Sequence, residues 1–187
     1  MNYPNSIKKN YKKIVNYGNR GMDLEYLINI ANEKYLEKDI AVIYKKPTPI
    51  AVVTCDYEKQ RITDAYYENK STLDYNGIYK GYYIEFDAKN TDKNFLPLSN
   101  IAHHQVEHIQ RIIKHNGIVF LIIMINNEAF LLPGIKLINF INQNKRKSIP
   151  YNYVKENGIK LKIDYLNGIN YINAVDILIK GDLNDKS

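Results

Sequence analysis

Asp74 and the triplet Asp87-Ala88-Lys89 are the residues of this chain whose types and spacing suit chemistry best. Two runs rich in aromatic and β-branched residues meet at Lys80-Gly81 and read as a β-hairpin with a two-residue turn. That turn sets a register in which Tyr79 faces Tyr82, Asn76 faces Glu85, Asp74 faces Asp87 and Thr72 faces Lys89. Two carboxylates then oppose each other with Cβ atoms about 5 Å apart, which destabilises a sheet unless a cation lies between them. Mg²⁺ suits the place, being a hard ion that prefers oxygen ligands and keeps part of its water. Such an ion acidifies a bound water and neutralises charge on a phosphate under attack, and a neighbouring lysine orients the nucleophile or steadies the transition state. Alternation puts Glu85, Asp87 and Lys89 on one face and Ile84, Phe86 and Ala88 on the other. The plain alternative is an edge hairpin whose charged face is solvated.

Two other groups compete. His104-Gln105-Val106-Glu107-His108 has the form H-x-x-E-H on an expected helix, where histidines at i and i+4 share a face and can bind zinc as in a zinc hydrolase. A third ligand and a cleft are also required, and the sequence identifies neither. The other rival is a non-catalytic basic module that grips phosphates. A formal charge of +6 and a pI near 9.1 favour an anionic partner, nucleic acid first. Lys59 and Arg61 interleaved with Tyr57, Tyr66 and Tyr67 suit unpaired bases and backbone phosphates.

These groups need a scaffold, and 187 residues with 45% hydrophobic content suit one domain with a real core. Cys55 is the only cysteine, which points to a reducing cytoplasm. The start of the chain is polar and basic through Lys13, and the longest apolar run, Ile118 to Ile125, is under half a membrane span, so no membrane association is expected. Residues 1–16 read as a mobile basic arm. Helical spacing from Met22 to Leu36 predicts a helix to about Glu37, with Asn19 as N-cap and Glu25 in its first turn. Ile40 to Tyr44 and Ile50 to Cys55 read as strands separated by Pro47-Thr48-Pro49, and residues 56–69 as an exposed loop or ribbon.

Ser99 or Asn100 caps an expected helix running to about Asn116, whose apolar stripe is interrupted by Gln105. An amide at a core-facing position must find a partner. Ile118 to Ile125 reads as a strand buried on both faces, Glu128 to Leu132 as its hairpin partner, and Gly134 to Asn142 as a helix. Lys145-Arg146-Lys147-Ser148 is a basic turn, Ile159 to Tyr165 a strand and Ile172 to Ile179 a closing helix, with residues 181–187 expected to be disordered.

The pattern Asp74…Asp87-Ala88-Lys89 has the form of the D…(D/E)-x-K nuclease signature, and ordered blocks around it extend the likeness. These are Asn19-Arg20-Gly21-Met22 with Leu24-Glu25, Ile40-Ala41-Val42-Ile43 with Lys45-Lys46-Pro47-Thr48-Pro49, and Asp74 through Gly81. Phe86-Asp87-Ala88-Lys89, His104 through His108 and Arg146-Lys147-Ser148-Ile149 continue the series. Across Tyr17 to Leu178 the chain resembles the RecU-type Holliday junction resolvases, a branch of the PD-(D/E)xK nucleases.

The resemblance implies a restriction-endonuclease-like α/β core, a central mixed sheet flanked by helices, with residues 47–70 as a protruding stalk. It places Thr72, Asp74, Asp87 and Gln105 around Mg²⁺, with Mn²⁺ as a substitute, Lys89 at the transition state and Glu25 as a further acid. Arg20 takes the place of a DNA-contacting arginine, while Lys59, Arg61, Tyr66 and Tyr67 are expected at the open centre of a four-way junction and Arg146 and Lys147 on its arms. A homodimer, a cytoplasmic and nucleoid-associated location, and recombinase or branch-migration proteins as further partners follow from the same likeness. Asp87 departs from the family's usual Glu, which shortens the reach to a metal by one methylene, roughly 1.5 Å.

Overall fold

The computed structural model describes residues 24–67 and 72–184. The basic arm, Asn19 and Arg20 lie outside the described residues. Helix α1, Leu24–Glu37, ends where the periodicity predicts and buries Leu24, Leu27, Ile28, Ala31 and Tyr35. Strand β1, Val42–Lys45, stops before Pro47. The next two strands, β2 at Ile50–Asp56 and β3 at Arg61–Tyr67, form a two-stranded sheet of their own with an irregular register. Every residue of β3 is exposed. Of the two readings open for residues 56–69, a ribbon is found over the described residues 56–67.

The main sheet has seven strands, numbered along the chain and ordered β1-β4-β5-β7-β8-β10-β11. Strands β4 (Tyr75–Tyr79) and β5 (Tyr82–Thr91) form the central hairpin. The short β6 (Phe95–Pro97) leads to helix α2 (His103–Lys114), which returns the chain to β7 (Ile118–Ile125) beside β5, in parallel. Strand β8 (Glu128–Pro133) pairs antiparallel with β7 across Asn126-Asn127, whose positive φ values of 51° and 59° give a tight primed turn. Helix α3 (Gly134–Gln143), β9 (Ser148–Pro150), α4 (Tyr151–Asn157), β10 (Ile159–Asp164), β11 (Gly168–Asn170) and α5 (Ile172–Asn184) complete the fold. The sheet is mixed and flanked by helices, as expected.

Apolar residues form a core on each face. Phe86, Phe120 and Ile122 pack with α1, Tyr171 and Val175, whereas Val119, Leu121 and Ile123 pack with Ile109, Leu137 and Val154. Strand β7 contributes to both, which explains its unbroken apolar run.

The chain departs from expectation in three places. Helix α2 begins at His103 rather than after Ser99 or Asn100, which form a short 3₁₀ turn with Leu98. Pairing of β6 with β9 and a 2.9 Å bond from the Leu98 N–H to the Lys147 carbonyl hold that stretch away from helical geometry. β9, α4 and β11 carried no periodic signal, and α4 buries Val154 alone. Helix α5 continues to Asn184, past Ile179 and the start of the expected disordered tail. Packing of Val175 and Ile179 has already nucleated it, and extending a formed helix costs little even through Gly181.

Candidate active site

The hairpin turn is primed, with φ 51° at Lys80 and 83° at Gly81, the conformation that favours glycine at the second position. Its register is the expected one from Tyr79–Tyr82 back to Tyr75–Phe86. On the α1 side, Tyr75, Phe86 and Phe120 stack in series with ring centroids 4.8 Å apart at each step. Each such pair contributes about 0.5–1.5 kcal/mol and pins three strands in register. Gly77 is required by close approach: a Cβ there would meet the Val42 carbonyl at 2.1 Å. The ladder ends at Tyr75–Phe86, so Asp74 and Thr72 leave its end, and neither the expected pairing of Asp74 with Asp87 nor that of Thr72 with Lys89 is part of it; Asp74 adjoins Asp87 through their side chains instead. The Lys46 N–H bonds the Asp74 carbonyl at 2.7 Å and keeps that segment against β1.

The charged face is not solvated. Glu85 is 1% and Asp87 0% exposed, beside Val119 and Leu121 of β7 and under α2. An acid so placed is costly unless paired. Asp87 Oδ2 accepts from Lys89 Nζ at 3.0 Å and from Gln105 Nε2 at 2.8 Å. Its Oδ1 is buried and has no hydrogen-bond partner among the described residues. Burial drives the Asp87 carboxyl up against the pull of Lys89, the adjoining Asp74 adds to the rise, and the result is about 6. The structure thus brings Asp74, Asp87 and Lys89 together.

Gln105 explains its place in the stripe. Its oxygen accepts the Ala102 N–H at 3.1 Å, starting α2, while its nitrogen also bonds the Thr72 carbonyl at 2.8 Å. In this orientation it aligns Asp87 and Thr72 by donating to both, with its oxygen committed to the helix. Glu85 is held differently: Lys46 Nζ, the Thr72 hydroxyl (3.2 Å), the Tyr83 hydroxyl (2.6 Å) and His108 Nε2 (3.0 Å) all bond its carboxylate. Burial pushes Glu85 up, but the bonds from Lys46, Tyr83 and His108 outweigh it and hold the group below its ordinary value. Sequence reasoning did not find Lys46, Tyr83 or His108 as members of the site. Alternation does place Glu85 beside Asp87, but only the packing of α2 brings His108 over it.

An unpaired buried carboxylate oxygen, a second acid beside it and the Thr72 carbonyl make an oxygen-rich set that fits a hard divalent cation. Among the described residues no group of three or more His, Cys, Asp or Glu is gathered to hold a metal. Among the described residues no third ligand joins His104 and His108 as a zinc site needs, and His108 is engaged by Glu85.

The other expected site residues are spread out. Glu25, in the first turn of α1, pairs with Lys45 of β1. Tyr66 and Tyr67 stand 62% and 78% exposed on β3 with Arg61, and Lys59 lies at the ribbon tip near Asp56. Arg146 and Lys147 are exposed just before β9. No helix among the described residues is long and apolar enough to cross a membrane.

Fold and site together define an α/β protein with an acidic, cation-suited centre of the D…D-x-K kind on the covered face of a hairpin. The chain belongs to the RecU family: the model of Recombination protein U matches residues 19–177. The Holliday junction resolvase RecU of Streptococcus mutans is 40% identical, covering 97% of this chain and 98% of that protein. The protein of the same name from Streptococcus oralis is 38% identical over 94% of each chain. Among solved structures, Archaeoglobus fulgidus Hjc, a Holliday junction resolvase, superposes with TM-score 0.42 at 12% identity, covering 71% of this chain and 94% of that one.

Proposed function

We propose that this protein is a divalent-cation-dependent endodeoxyribonuclease that resolves Holliday junctions in recombination and repair. The observation that carries the reading is the half-satisfied Asp87 carboxylate, buried beside Asp74 and 3.0 Å from Lys89. Family membership and the names of the relatives supply the substrate.

Asp74 and Asp87 hold Mg²⁺ or Mn²⁺ through oxygen, with the Thr72 carbonyl alongside and Gln105 keeping them aligned. A cation bound there acidifies a water and neutralises charge on the scissile phosphate. Lys89, next to Asp87, donates to the charge that develops on that phosphate. Glu25 serves as a further acid in catalysis. The product carries a 5′-phosphate.

As a homodimer, the protein cuts two opposed strands of a four-way junction, whose approximate twofold symmetry matches that of the enzyme. Residues 47–70 act as a stalk that enters the junction centre with Lys59, Arg61, Tyr66 and Tyr67, while Arg146 and Lys147 hold the arms and Arg20 contacts DNA. It acts in the cytoplasm at the nucleoid, with recombinase and branch-migration proteins as candidate partners.

A synthetic mobile junction and a linear duplex, each with and without Mg²⁺ or Mn²⁺, test this. Paired symmetric nicks in the junction alone are expected, lost in Asp74→Ala and Asp87→Ala with junction binding kept. Binding that no cation converts into cleavage would leave a passive module and end the nuclease reading.

A further inference from the structure

We propose that Glu85 is a positioning residue whose carboxylate locks both roots of the β2–β3 ribbon to the acid pair, an inference that rests on the nuclease reading above. Strand β1 ends at Lys45, one residue before Lys46, on the way to the ribbon, and Thr72 lies on the far side of the ribbon, three residues before β4 begins at Tyr75. Lys46 Nζ bonds the Glu85 carboxylate and also the Thr72 hydroxyl at 2.6 Å, and that hydroxyl bonds Glu85 Oε1 at 3.2 Å. These side chains close a triangle between the segment that follows β1, the segment that precedes β4, and β5.

The same triangle is tied to the acids. Thr72 is held at its hydroxyl by Lys46 and Glu85, and at its carbonyl by Gln105, whose same nitrogen bonds Asp87 Oδ2 at 2.8 Å. Lys46 is also bonded through its backbone N–H to the carbonyl of Asp74 at 2.7 Å. Helix α2 reaches both acids from above, Gln105 to Asp87 and His108 to Glu85. A shift of either ribbon root therefore has to disturb the bonds that orient Asp74 and Asp87.

Stability alone gives poor reason to keep a charge here. The neighbours across β7 are Val119 and Leu121, and well-packed apolar residues commonly replace a buried ion pair at no loss of stability. An ionised carboxylate does what an apolar side chain cannot, accepting several directional bonds at once. Both of its oxygens are taken by protein donors, so it orients the site without joining the cation.

Glu85→Gln keeps size and shape but removes the charge. Glu128→Gln is the control, a carboxylate on β8 held by Lys160 and Tyr151. Full-length proteins are compared by melting temperature, Mn²⁺ calorimetry, cation-free junction affinity and single-turnover cleavage. Glu85→Gln is expected to keep junction affinity within about twofold while weakening Mn²⁺ binding about tenfold and slowing cleavage at saturating Mn²⁺ by about tenfold or more. Glu128→Gln should change neither Mn²⁺ binding nor cleavage. His108→Gln, a milder lesion of the same carboxylate, should weaken Mn²⁺ binding about threefold and covers the case in which Glu85→Gln fails to fold. Wild-type Mn²⁺ affinity in the Glu85 variant, or in the His108 variant where the Glu85 variant does not fold, overturns the proposal. So does a loss that Glu128→Gln reproduces. A wild-type protein that binds Mn²⁺ but cuts no junction defeats the nuclease reading alone, because the calorimetry still judges Glu85. One that binds no Mn²⁺ defeats both.

Discussion

Glu85 and Asp87 stand on the same face of one strand, under the same helix, and are equally buried. Their electrostatic states are opposite. Glu85 has donors on both oxygens and is held below its ordinary value, whereas Asp87 has one bare oxygen and is raised to about 6. Burial is the largest influence on both and weighs more on Asp87, and the company each keeps widens the gap: Lys46, Tyr83 and His108 all pull Glu85 down, whereas for Asp87 the pull of Lys89 is opposed by the adjoining Asp74. A fold that satisfies one buried acid and leaves its neighbour wanting holds the second for a ligand it does not itself supply.

The contrast breaks most visibly in catalysis. Asp74→Ala or Asp87→Ala should lower single-turnover junction cleavage on the order of 10³-fold or more, since residues that act as a unit fail together. Lys89→Ala should cost on the order of 10²-fold, measured at saturating cation so that charge stabilisation is read apart from cation binding. Stability should then move in opposite directions at the two acids. Glu85→Ala strands the Lys46 charge and should destabilise by about 3–5 kcal/mol. Asp87→Asn removes a charge that burial, and after it the adjoining Asp74, disfavours, and should stabilise the cation-free protein by about 1–2 kcal/mol, raising Tm by about 2–8 °C in a calorimetric scan.

The pH dependence sharpens the same contrast. Asp87 has its carboxyl raised from 3.8 to about 6, so the folded state binds more protons than the unfolded one across that window. Its contribution therefore makes the cation-free protein less stable as pH rises from about 4 to about 6. Glu85 runs the other way: its lowered value contributes stability present above its ordinary pKa and lost as pH falls through the folded one. Denaturant titrations across pH 3–7 should show the loss toward neutrality vanish in Asp87→Asn and remain in Glu128→Gln. Binding of Mn²⁺ should release a proton from Asp87 below about pH 6, seen as a buffer-dependent calorimetric enthalpy. The smallest effect is expected on the ribbon, where Tyr66→Ala should leave stability within about 0.5 kcal/mol while weakening junction affinity.

Much of the site was legible before any coordinates. The Lys80-Gly81 turn and strict alternation along β5 dictate which residues face which as far as Tyr75 and Phe86; one step further on, Asp74 has left the ladder and meets Asp87 through their side chains rather than as a strand pair. Helix α1, β7 and its hairpin with β8 were equally plain, because their apolar periods run long enough to exclude alternatives. The elements that escaped, β9, α4 and β11, are short and owe their existence to neighbours rather than to their own pattern.

Local spacing by itself determined the hairpin, its register and the pairing of two acids with a lysine, since these depend on residues within one turn of chain. Tertiary structure alone decided that the charged face is covered rather than wet, that Gln105 turns its nitrogen to Asp87, and that Lys46 and His108 converge on Glu85 from a different strand and helix. The physical reason is distance along the chain: whether a buried carboxylate is satisfied depends on donors tens of residues away, and a one-dimensional pattern carries no record of which helix will settle above it.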